Sequence, residues 1–139
     1  MDFNEEDYHC FLEQSLYLET ERGAARGNVD FLVAAGRAVP VSPYYLLHEY
    51  KPERTTVMDP QGQLLIAMLA ARPANEEAGL TQPVYGSYVI GRLWFFVILN
   101  GREYTISRAY DCTLPDGVEV IFRALLEVKA YITALHAEL

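Results

Sequence analysis

The sequence predicts one mixed α/β domain, a sheet flanked by helices, over residues 1–139. Three observations predict it. The stretches NVDFLVAAG (28–36) and YYLLHEYK (44–51) have strand-like apolar patterning. DPQGQLLIAMLAAR (59–72) is apolar nearly all round once wound into a helix, as a helix buried on a sheet is. Three further strand-like runs then lead into a C-terminal stretch with helical spacing. Strands and helices mixed in this order build a sheet with helices on it. A length of 139 residues suits one domain with a real core and is too short for two.

Taken in order, DFNEEDYHCFLEQS (2–15) reads as a short helix. Phe3, Tyr8, Phe11, Leu12 and Ser15 fall near one side, and acids crowd its first turn, where the helix dipole favours them. LYLETE (16–21) either continues that helix or begins a first strand, and GAARG (23–27) reads as a turn. In the strand over 28–36, Val29, Phe31 and Val33 share one face and Asp30 lies on the other. GRAVPVSP (36–43) is a connector, 44–51 the second firm strand, and PERTTVM (52–58) a polar loop. Asp59 is an N-cap and Pro60 a first helical residue, while Pro73 should end that helix near Arg72. PANEEAGLTQP (73–83) is a loop. PVYGSYVIGR, LWFFVILNG and REYTISRAY follow as strands, with Asn100-Gly101 as a hairpin turn. The stretch from Asp116 to the C-terminus repeats Val118, Ile121, Phe122, Leu125, Val128, Ile132 and Leu135 at helical spacing.

Composition restricts the function. The formal charge is −8, with 11 Lys and Arg against 19 Asp and Glu. Phosphate backbones are held mainly by Lys and Arg, so tight non-specific nucleic-acid binding is not expected, and any DNA binding by the chain alone, through a local patch or a bound cation, should be weak. Cys10 and Cys112 fit no metal-ligand spacing and read as reduced, packed thiols. MDFNEEDYH is acidic where a secretory signal is basic, and no apolar run is long enough to span a bilayer. The expected location is cytoplasmic.

The chemistry concentrates in Asp30, Glu49, Lys51 and Gln63, polar residues in apolar surroundings. A buried acid costs several kcal/mol unless a charge or hydrogen bond meets it. Two acids on adjacent strands repel, and a divalent cation between them removes the conflict. Hard oxygen donors suit Mg²⁺ or Mn²⁺, which keep water for chemistry. A lysine nearby can orient such a water or steady a phosphate. The bland alternative is a structural ion pair at a sheet end. Gln63 reads equally as a site residue or as a glutamine bonding its own helix turn. His48, on the other strand face from Glu49, reads as a packed histidine, and the aromatic residues around Trp94 as core. Arg54, Arg72, Arg92, Arg102 and Arg108 are the cations that could meet phosphate.

Asp30 followed by Glu49-Tyr50-Lys51 at a strand end resembles the PD-(D/E)XK nuclease superfamily, the restriction-endonuclease-like fold. Gln63 on the next helix fits that superfamily's RecB-like branch, although Ala67 stands where the branch has tyrosine. FNEEDY, GNVDFLVA, YYLLHEYKPE, DPQGQLLIAMLAA and YGSYVIGRLWFFVILNGREYTIS are also similar to small bacterial proteins assigned there, and together they cover almost the whole chain. The resemblance implies an α-β-β-β-α-β core with an added C-terminal hairpin and helix. It implies Mg²⁺ or Mn²⁺ held by Asp30, Glu49 and the Tyr50 carbonyl, with Lys51 orienting the attacking water. It also implies a glutamate on the first helix near the metal: Glu6 first, then Glu5, then Glu13. The expected function is metal-dependent hydrolysis of DNA, less readily RNA. The alternative is a weak or inactive nuclease-fold module for protein assembly, with a protein partner or a homodimer along an edge strand such as 102–107.

Overall fold

The computed structural model describes residues 2–51, 59–81 and 83–138. Strands β1 (Tyr8–Thr20), β2 (Gly23–Ala35) and β3 (Val41–Lys51) lead to helix α1 (Pro60–Glu77). Strands β4 (Val84–Ile90), β5 (Leu93–Asn100), β6 (Glu103–Ile106) and β7 (Tyr110–Asp111) lead to helix α2 (Pro115–Glu138). Among the described residues the strands form one mixed sheet in the order β1-β2-β3-β4-β5-β6, with β7 also on β5. Every pairing is antiparallel except β3 with β4, which run parallel because α1 carries the chain across the sheet between them.

The helices cover opposite faces. Leu64, Ala67, Met68 and Ala71 of α1 pack with Leu32, Leu47, Val84, Tyr88 and Val97. Val128 and Ile132 of α2 pack with Tyr8, Val33, Tyr45 and Leu46 on the other side. Leu46 and Leu47, neighbours in sequence, therefore serve different cores, as strand alternation requires. Along β3 the same alternation sends Glu49 and Lys51 to the α1 side and His48 to the α2 side.

The helix expected over 2 to about 15 is absent, and β1 stands in its place. Its periodicity fits a helix locally, but strand pairing decides: β1 is laddered to β2 from Tyr8↔Ala35 to Thr20↔Gly23. GAARG is accordingly not a turn but the start of β2, and the chain reverses at Glu21 and Arg22. Residues before β1 lie on the α2 face, where Glu5 pairs with Lys129 at 2.8 Å. The α1 entry follows the expected cap, since the Asp59 side chain accepts the Gln61 amide at 3.1 Å. Its exit does not, because the helix runs through Pro73 to Glu77. Asn75, buried in that last turn, accepts the Tyr44 amide at 2.6 Å and donates to the Tyr44 carbonyl at 2.8 Å. Those two bonds tie the last turn to β3. The loop expected over 52–58 lies outside the described residues.

Gly27 sets how closely β2 approaches α1. A Cβ built there would lie 2.5 Å from the Ala67 amide nitrogen and 2.7 Å from its Cβ. Both elements are backbone at that contact, so neither can yield by a rotamer change. Gly27→Ala should therefore destabilise the protein by about 1–3 kcal/mol, read as a lower urea midpoint with an unchanged m-value. A midpoint equal to wild type would contradict this packing.

Candidate functional site

Beyond the Phe31↔His48 pair β2 and β3 part, while β3 stays paired to β4 as far as Lys51↔Ile90. A cleft of about 380 Å³ opens at this parting, with Asp30, Glu49, Lys51 and Gln63 in its wall. The structure thus brings together four of the residues singled out in the sequence. The β1–β2 hairpin supplies the rest of the wall with Glu13, Gln14, Ser15, Arg26 and Asn28.

A paired irregularity aims the hairpin at the cleft. Phe11 and Leu16 both pack toward α1, as do Val29 and Leu32. Odd separations fall on opposite faces of a regular strand, so each strand reverses its facing once between those residues. The register is the same on either side, Leu12↔Phe31 and then Gln14↔Val29, with Glu13 and Asp30 left out of the ladder. Glu13 takes φ 50, in the left-handed region that costs a side-chain-bearing residue about 1–2 kcal/mol. The ladder on both sides holds it there. Glu13 is therefore the acid that the first element brings to the cleft. Glu6 is exposed, precedes β1 and is not among the cleft's lining residues, and Glu5 is taken by Lys129 on the other face.

Asp30 fills the place of a lost ladder partner. Its Oδ2 accepts the Tyr50 amide at 2.7 Å. The Lys51 carbonyl is taken from the β4 side, accepting from the Gly91 amide at 3.0 Å. Amide and carbonyl of one strand residue leave by the same edge, and successive residues alternate edges. The Tyr50 carbonyl is therefore directed into the gap beside Asp30. The Tyr50 ring is 50% exposed.

Glu49 is the unusual group. It is 3% exposed; its Oε1 meets Lys51 Nζ at 3.1 Å, and its Oε2 is buried with no hydrogen-bond partner. Burial raises its carboxyl pKa above the ordinary 4.5, and the nearby Asp30 charge adds to the rise, while Lys51 and the Asp30 main chain oppose it. One ammonium at the cleft mouth thus does not offset the desolvation of this carboxylate.

Across the sheet, His48 Nδ1 bonds Ser87 Oγ at 2.6 Å and its ring lies 4.9 Å from that of Trp94. Burial lowers its pKa to about 4, against the opposing pull of Asp30. It is a packed histidine remote from the cleft side of β3. Arg72 pairs with Glu76 and bonds the Gly101 carbonyl, Arg92 pairs with Asp111, and Arg108 lies over the Tyr110 ring. Arg54 lies outside the described residues. A larger hollow of about 560 Å³ between β7 and α2 holds Asp111, already engaged by Arg92 and Thr113.

Among the described residues no three His, Cys, Asp or Glu side chains converge as a ready metal cluster. Mg²⁺ does not require one, since it commonly takes one or two carboxylates and keeps several waters. The orphaned Glu49 Oε2, the adjoining Asp30 carboxylate and the Tyr50 carbonyl form an all-oxygen donor set of that kind. These residues fit a small hard cation. Compared with protein-family models, curated proteins and solved structures, the chain has no significant match. No described helix is long and apolar enough to cross a membrane.

The raised Glu49 pKa has a signed consequence for the metal-free protein. Above pH 4.5 the unfolded carboxyl has released its proton, while the folded one holds it up to its higher pKa. The folded state then binds more protons, so stability falls as pH rises through that window. Glu49→Gln cannot ionise and escapes the loss. In chelator, its melting temperature relative to wild type should climb with pH from about 4 upward and then level off. A difference that is flat or falls with pH would contradict the assignment.

Proposed function

We propose that the protein is a metal-dependent nuclease of PD-(D/E)XK type that hydrolyses phosphodiester bonds of DNA. The observation that carries this reading is the buried Glu49 carboxylate, one oxygen paired to Lys51 and the other unpartnered, beside Asp30 in an open cleft. The run β-β-β-α-β, with β3 and β4 parallel across α1, supports it as well. The first helix of that superfamily's core has no counterpart among the described residues, and Glu13 on a strand takes the place expected for a helical glutamate.

In this reading Glu49, Asp30 and the Tyr50 carbonyl hold Mg²⁺ or Mn²⁺. A cation bound there supplies charge stabilisation to the phosphoryl oxygens and lowers the pKa of a water. Lys51 donates hydrogen bonds that orient the attacking water and is itself positioned by Glu49. Gln63, at the first turn of α1, borders the same cleft and is placed to contact water or phosphate. Hydrolysis joins the water oxygen to phosphorus, breaks one P–O ester bond and leaves a phosphomonoester and an alcohol.

A second reading, a nuclease-fold module used in assembly, is favoured by one feature. Val118, Phe122 and Leu126 stand exposed at four-residue spacing on α2, a row suited to a protein partner. The two readings separate in a cleavage assay on DNA with Mg²⁺ or Mn²⁺. Asp30→Asn, Glu49→Gln and Lys51→Ala should each lower turnover by about 10²-fold or more, with circular dichroism unchanged. Cleavage that persists in any one of them sinks the nuclease assignment, and a folded wild type that never cleaves favours the module.

A further inference from the structure

The outer face of the β1–β2 hairpin carries four exposed side chains that the proposed hydrolysis does not use. Ser15 opposes Asn28 and Tyr17 opposes Arg26. Cross-strand partners share a face. Leu16 and Gly27, interleaved with them, turn to α1. The four therefore form a two-by-two patch on the hairpin face opposite Leu16 and Gly27. Within it, Ser15 Oγ donates to Asn28 Oδ1 at 2.6 Å and accepts from Arg26 Nη2 at 3.0 Å.

That relay positions the guanidinium while engaging one of its five N–H donors. Arg26, like Arg22, Arg37, Arg102 and Arg108, enters no ion pair of the described residues, and of these it alone borders the cleft. Arg26, Ser15 and Asn28 line the same cleft as Asp30 and Glu49. Tyr17, across from Arg26, is 64% exposed. An oriented guanidinium is a phosphate ligand, and a solvent-facing tyrosine beside it offers a ring to an unstacked base. A duplex keeps its bases stacked inside, so the pair suits a single strand.

We propose that this hairpin face docks a single-stranded nucleic-acid segment leaving the cleft, with Arg26 on a phosphate next to the scissile one and Tyr17 stacked on a base. The proposal rests on the nuclease reading and adds to it a substrate class, nucleic acid with a single-stranded flank. It also accommodates the net charge of −8, because stacking supplies affinity that the few cations do not.

The test compares wild type, Tyr17→Ala and Arg26→Gln by fluorescence anisotropy, with Ca²⁺ in place of Mg²⁺. The probes are oligothymidylate of about 12 nucleotides and a blunt duplex of equal length. Tyr17→Ala should weaken oligothymidylate binding about 5- to 160-fold, the range for one stacked base, and leave duplex binding unchanged. Arg26→Gln should reduce the salt slope by about 0.7, one phosphate contact on a single strand. Both variants should keep the rise in melting temperature that Mn²⁺ gives wild type. Binding unchanged in both variants, equal losses on single strand and duplex, or no oligothymidylate binding by wild type would each overturn the hairpin proposal. Wild type that Mn²⁺ fails to stabilise would bring down the nuclease reading beneath it. Mn²⁺ stabilisation without any effect of the variants on oligothymidylate removes the hairpin proposal alone.

Discussion

Past the Phe31–His48 pair, β3 keeps β4 on one edge and has no strand on the other. Its main chain must find partners outside the ladder, and the Asp30 carboxylate takes the Tyr50 amide. The parting makes the cleft, because a sheet that stayed zipped would leave no room between the strands. It also fixes the cleft's chemistry. Asp30, the Tyr50 carbonyl and the end of β3 are brought to one gap by backbone pairing on either side, not by flexible side chains reaching inward. Glu13 and Asp30, dropped from the β1–β2 ladder together, belong to the same irregularity.

Glu49 shows what this arrangement costs. Strand alternation sends it to the α1 side, under cover of that core, and two residues later sends Lys51 to the same side. The ion pair satisfies one oxygen and leaves the other buried without a partner. A desolvated carboxylate with an unsatisfied oxygen is destabilising by itself. A lone ammonium, partly in water, recovers only part of that cost. Folds tolerate such groups where something else binds them, and a hard cation, if bound as proposed, would meet both the orphan oxygen and the repulsion from Asp30. His48 is different: it is buried too, but its ring nitrogen is matched by Ser87, and burial itself keeps it neutral by lowering its pKa.

The charged residues that line the cleft were conspicuous in the sequence, and the first strand beside them was not. Asp30, Glu49 and Lys51 announce themselves because charged residues inside apolar strands are conspicuous, and Gln63 follows a strong cap at Asp59 and Pro60. Asn100-Gly101 likewise marks the β5–β6 reversal. The first strand was not legible, since Phe3, Tyr8, Phe11 and Leu12 satisfy a helical period, and only the distant partner GAARGNVDF selects the extended form. The helical reading ranked Glu6 and Glu5 ahead of Glu13, whose place at the cleft depends on a left-handed kink that no local pattern signals. Arg26 was hidden inside a supposed turn, and Ser15 and Tyr17 lay in a stretch read as helix or left open between helix and strand, so nothing in the sequence put the three on one face. Pro73 misled because α1 continues past it to Glu77, and its last turn is tied to β3 by the two Asn75–Tyr44 bonds.

Calorimetric titration of Mn²⁺ into wild type and Glu49→Gln tests the central claim most directly. The account predicts saturable one-site binding to wild type that is lost in the variant while its circular dichroism stays the same. Absence of heat in wild type, or equal binding by both proteins, would contradict it and leave Glu49 and Lys51 as a structural pair at the end of a strand.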